Sequence, residues 1–148
     1  MTAAPHISRL VSRLLVPVVA MVMASLNGAA GAEWVPVASS PEVQVLVDAE
    51  SLQEEAHGLV SVWTKTFYAS PQTAIGIQYA ADMTLFVLDC ASHRYGIAGG
   101  GYLDAPGNVL RQFHEPVGEL QPIPAASKID AVAKAVCTAI GVRPWGNR

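Results

Sequence analysis

The stretch "TLFVLDCASHRYG", residues 84–96, decides how this chain folds. Its side chains alternate, so that Phe86, Leu88 and Cys90 share one face of an extended backbone while Leu85, Val87 and Asp89 share the other. Ser92 and His93 turn the chain into "RYGIAGG", and two strands joined by so short a link must pair antiparallel. A sheet with one apolar face needs a cover, and a stretch of different period supplies it. Ile129, Val132, Ala133, Val136, Cys137 and Ile140 fall at offsets 0, 3, 4, 7, 8 and 11, which places them in one stripe along a helix. Ser127 with Asp130 three positions on is a variant of the capping box, and Gly141 is a natural stop.

Each of these two stretches carries one cysteine, and the chain has two in all. Their environment follows from the N-terminus. "MTAAPHISRLVSRLL" puts Arg9 and Arg13 ahead of an uncharged apolar run from Leu14 to Leu26, and Ala30 and Ala32 occupy the small-residue positions of a cleavage site before Glu33. That is the layout of a secretory signal peptide over residues 1–32. Pro17, Asn27, Gly28 and Gly31 interrupt the roughly 20 apolar residues a membrane span needs, so no span is expected after cleavage. In an oxidising compartment an even cysteine count without zinc or redox spacing reads as one disulfide, Cys90 to Cys137. A catalytic thiol at either position leaves the other unexplained. The bridge closes a loop of 47 positions, worth roughly 4 kcal/mol in the chain-entropy description.

Residues 33–148 then form a single domain. Its charge moves from the −3 of the whole chain to −5, because Arg9 and Arg13 leave and all 12 acidic residues stay. A mildly acidic surface with scattered cations excludes a nucleic-acid or anionic-lipid footprint. Along this domain "EWVPVA" and "VQVLVD" read as strands, and "AESLQEEAHG" reads as a connection with room for one helical turn. "LVSVWTKTFY" reads as the longest strand, with Val60, Val62, Thr64 and Thr66 on one face and Leu59, Trp63, Lys65 and Phe67 on the other. Both faces carry large apolar groups, which predicts a central position in the sheet. "ASPQTAIGIQYAADM" breaks the pattern at Pro71 and Gly76. Gly99, Gly100 and Gly101 read as a flexible hairpin or a bulge, and "NVLRQFH" as a further strand. The architecture expected is α+β: a meandering antiparallel sheet with one C-terminal helix fixed across a face by the disulfide.

In order, "EWVPV", "VLVDAESL", "VSVWTKTFY", "LFVLDCASHRYG", "PGNV" and "PIPAASKIDAVAKAVC" resemble the surface-adhesin protein E family of Gram-negative bacteria, from Trp34 to Cys137. The resemblance implies about six antiparallel strands with the helix packed on one face. It also implies a non-enzymatic binding role, with host extracellular-matrix or serum proteins as ligands. The type member of that family is lipid-anchored, whereas the cleavage region here has no cysteine to acylate. The expected location is therefore periplasmic or secreted, with cell-surface display left open.

The face of Trp63, Lys65 and Phe67, with Tyr68 next to it, has two readings: a protein-binding surface, or a second small core beneath the loops. Elsewhere the residues point to structure. His57, His93 and His114 have neither i, i+4 partners nor carboxylates at ligand spacing, so no metal is expected. Asp89 is placed to accept from Arg94 or from turn amides. Ser39, Ser40, Ser51 and Ser61 lie in no nucleophile elbow, and the glycine run lacks a following G-K-[ST]. No catalytic residue and no cofactor are expected. The alternative to adhesion is a soluble periplasmic accessory module that binds an envelope protein or a small molecule.

Overall fold

The computed structural model describes residues 31–142, so the expected signal peptide, residues 1–32, lies outside them but for its last two positions. One antiparallel sheet dominates. Its meander runs β1 (Trp34–Ser39), β2 (Val43–Asp48), β4 (Leu59–Ala74), β5 (Ile77–Asp89), β6 (Arg94–Leu103) and β7 (Val109–His114). Two dipeptide strands add to it: β3 (Gln53–Glu54) pairs with β4, and β8 (Gln121–Pro122) pairs with β6. The single helix among the described residues longer than one 3-10 turn is α1 (Lys128–Ala139). This is the α+β architecture the periodicities predict, with six strands in the meander.

Strand pairing explains which residues are inside. Val60 stands opposite Leu88 and Val62 opposite Phe86, while Val47 stands opposite Thr64 and Val45 opposite Thr66. All of these side chains lie on one face, and α1 lays Ile129, Val132, Ala133, Val136 and Cys137 across it. Leu88, Val62, Val132 and Cys137 have lost all contact with water. Each fully buried Val or Leu contributes about 1.5–3 kcal/mol, which makes this seam the main source of stability. The disulfide Cys90–Cys137 spans it, with Cα atoms 5.7 Å apart. Cys90 is the first residue of the turn after β5, one position beyond the strand from which the alternation projects it.

The helix is capped at both ends. Ser127 Oγ accepts the Asp130 N–H at 3.1 Å, and the Asp130 carboxylate accepts the Ala126 N–H at 3.0 Å. At the other end Gly141, with φ 83°, reverses the chain. The Val142 N–H then reaches the Cys137 carbonyl and the Gly141 N–H the Thr138 carbonyl, closing a Schellman motif.

Two expectations need correction. The segment around Pro71 and Gly76 does not break the sheet: β4 runs on to Ala74, and Ile75 with Gly76, at φ 52° and 72°, form a two-residue hairpin turn into β5. Pro71 is tolerated because it sits in a register irregularity between Phe67 and Gln72, where a ladder N–H is dispensable. Nor is the glycine run a flexible hairpin. Gly99, Gly100 and Gly101 are buried inside β6, paired to β5 and β7, and the bulge lies next to them at Ala98. A Cβ on Gly100 would come within 2.6 Å of the Met83 carbonyl oxygen and 2.8 Å of Phe113 Cζ. Close approach, not mobility, selects glycine there.

Candidate functional site

The opposite face of the sheet carries no helix. Alternation along β4 turns Ser61, Trp63, Lys65 and Phe67 toward it. Cross-strand pairing sets Val87 beside Ser61, Leu85 beside Trp63, Met83 and Leu46 beside Lys65, and Gln44 beside Phe67. The edge strand contributes Trp34, and Lys65 Nζ lies 4.6 Å from the centre of its indole and 5.9 Å from the Phe67 ring. A cation held over two rings keeps its charge at the surface while its stem covers apolar area. Phe67 is 43 % exposed and stands at the surface, while its cross-strand neighbour Ala81 and, next to that, Leu103 are buried on the same face.

At the other end the face deepens into a cleft of about 680 Å³. Its floor is Trp63, Leu85, Val87 and Ala98. One wall is the segment between β2 and β4, which bends through two 3-10 turns, Ala49–Ser51 and Ala56–Gly58. Hydrogen bonds tie this wall to the floor. Ser61 Oγ donates to Glu55 Oε1 at 2.7 Å, and Ser51 Oγ accepts the Trp63 N–H at 2.9 Å while donating to the Asp48 carbonyl. The far wall is Val117, whose loop rests on Gly96 so closely that a Cβ there would meet Val117 Cγ1 at 2.8 Å. A smaller hollow of about 180 Å³, lined by Met83, Leu103, Gln112 and His114, adjoins on the other side of Trp63. Trp63 is thus the divide between two depressions.

Tyr68, next to Phe67 in sequence, belongs to the helix side. Its hydroxyl donates to Asp82 Oδ2 at 2.5 Å, and the same carboxylate lies 3.7 Å from Lys128 Nζ, which in turn donates to Thr66 Oγ1. Burial, reinforced by that bond to a carboxylate, holds the Tyr68 phenol well above its ordinary value. Tyr79 contacts both Tyr68 and Tyr102, and Tyr102 leads on to Phe113, with ring centres 4.6–6.4 Å apart. These groups make a polar and aromatic layer beyond the N-terminus of α1, not part of the open face.

Of the other residues singled out from sequence, Ser51, Ser61 and His57 come together along the cleft, and the rest are dispersed. His57, at φ 63°, sits on the rim of the cleft, His93, at φ 56°, in the turn after β5, and His114 at the end of β7. Asp89 accepts the N–H groups of Ala91 and Ser92 at 3.1 and 3.0 Å. The Ser92 side chain, those amides and nearby Arg94 hold its carboxyl below the usual range. Ser39 and Ser40 lie at the turn between β1 and β2. Among the described residues no three His, Cys, Asp or Glu side chains converge as a metal site, and no helix is long and apolar enough to cross a membrane. Sequence reading missed Trp34 as the partner of Lys65, and Glu55 and Val117 as walls. Leu85 and Val87 were legible, since alternation already sets them opposite Cys90.

The profile of the surface-adhesin protein E family matches residues 34–138, from the first strand to the last turn of the helix. The chain belongs to the surface-adhesin protein E family. No curated protein and no solved structure matches it. For this member of the adhesin E family, membership supports an adhesin-like role in general and specifies no partner.

Proposed function

We propose that this chain is an exported, non-enzymatic binding protein that takes a protein ligand on the open face of its sheet, through Trp63, Lys65 and Phe67. One observation carries the reading: Lys65 is held over Trp34 and Phe67 on a face the helix leaves uncovered. Exposed aromatic side chains are anchors that carry much of the energy of protein recognition, and a cation already held in place adds a charged contact at small ordering cost. The ligand class that fits the family is a host extracellular-matrix or serum protein, which the chain meets when it is secreted or displayed at the cell surface.

The test is binding of the purified chain to immobilised matrix and serum proteins, with the double substitution Lys65→Glu and Phe67→Ser as control. Binding should fall at least tenfold, about 1.4 kcal/mol, while the melting temperature holds. Equal binding by the variant would move the ligand off this face. Cell fractionation tests the setting: material found solely in the periplasm, and protected from external protease on intact cells, is incompatible with adhesion.

A second reading has its own support. The cleft beside Trp63 is of the size that small-molecule sites occupy, about 300–1,000 Å³, which favours a periplasmic accessory role with a small ligand.

A further inference from the structure

The cleft walled by Glu55 and Val117 has a chemical character that narrows what can fill it. We propose that it binds a small amphipathic organic cation, an apolar body ending in an amine, with Trp63 beneath the body and Glu55 as counter-ion. The proposal rests on the small-molecule reading of the cleft and is independent of the protein ligand at Lys65.

Three observations support it. The floor, Trp63, Leu85, Val87 and Ala98, is apolar and belongs to three adjacent strands, so its shape is fixed before any ligand arrives. Glu55 is the one acidic or basic side chain of the lining apart from His57, and among the described residues it forms no ion pair. Its Oε1 accepts from Ser61, which anchors the carboxylate to the floor and leaves Oε2 for a ligand. The wall itself is held: Ser51 bridges Asp48 to Trp63, and His57 and Gly58 take consecutive left-handed conformations that turn the segment over the sheet. A carboxylate fixed at the side of an indole-floored cleft attracts a positive group that also contacts the ring, through charge pairing and the ring quadrupole together. An anion of the same shape would face Glu55 with no cation in the lining to offset it.

The experiment titrates the exported chain, labelled with nitrogen-15, with three probes of one shape: 4-phenylbutylamine, 4-phenylbutanol and 4-phenylbutyrate. The amine should shift the Trp63 indole N–H and the Ser61 and Val87 amides, and bind about tenfold more tightly than the butyrate, with the alcohol between. Glu55→Gln should bring the three together. Gln53→Lys, an exposed change on the same wall, should narrow the preference for the amine by setting a cation beside the Glu55 carboxylate. If no probe shifts these signals, the small-molecule reading of the cleft fails and the proposal with it. If all three bind wild-type protein alike, or Glu55→Gln keeps the preference for the amine, the cleft is a binding site but the assignment of a cationic ligand is overturned.

Discussion

Phe67 and Tyr68 are neighbours in the chain and serve opposite sides of the sheet, so equal truncations at the two positions should have different consequences. Phe67 covers part of the Lys65 site and little of the core, and its loss should show in binding. Tyr68 donates to Asp82, a carboxylate already half-engaged by Lys128. Tyr68→Phe leaves that buried acceptor short of a partner and should cost about 1–3 kcal/mol in urea unfolding. The same substitution should change the alkaline response. The folded phenol holds its proton above its ordinary value, so the unfolded chain ionises first; the stability involved is complete below about pH 10 and is lost as pH rises toward the folded value. Wild-type stability should therefore decline above about pH 10, and Tyr68→Phe should flatten that limb.

The elements depend on close approaches and on one covalent tie. Removing the tie by Cys90→Ala with Cys137→Ala should lower stability by roughly 4 kcal/mol, the cost of releasing its loop. The loss should appear as a lower urea midpoint and as rapid hydrogen exchange along α1, whose other contacts are to side chains alone. Ser127→Ala removes the N-cap acceptor and should cost about 1 kcal/mol by the same measurement. Gly100→Ala is the sharper probe of β6, because the new methyl meets a backbone carbonyl that cannot swing away. It should destabilise by about 2–3 kcal/mol, against almost nothing for Gly118→Ala, whose added methyl meets open space.

Over the whole molecule, the two faces of the sheet divide the labour. The face under α1 holds the apolar seam and the buried polar layer of Thr64, Thr66 and Asp82, and so carries stability. The face away from it carries the lysine-over-aromatic site and the cleft, whose residues contribute less to the core and are free to meet ligands. Substitutions on the two faces should separate into stability effects and binding effects. Acid should act on the loops that join the strands. Asp89 and Asp104 each bond turn groups and titrate below the ordinary carboxylate value, so the stability they add is present above about pH 4 and is lost as pH falls through their folded values. Unfolding measured from pH 5 down should steepen below about pH 4, and less so with Asp89→Asn.

The periodicities by themselves determined the class of fold, the helix and its buried stripe, the element that carries each cysteine, and the side of β4 on which Trp63, Lys65 and Phe67 stand. Those features depend on local spacing, 2.0 residues for a strand and 3.6 for a helix, which one chain displays openly. Only the tertiary structure decided that Trp34 lies under Lys65, that Glu55 and Val117 wall a cleft, that the glycine run is a packed strand, and that Tyr68 bonds Asp82. Each of these depends on cross-strand register, on bulges near Pro36, Pro71 and Ala98, or on a loop crossing Gly96. Register is set by the sum of contacts between distant segments, and no single stretch of sequence contains that sum.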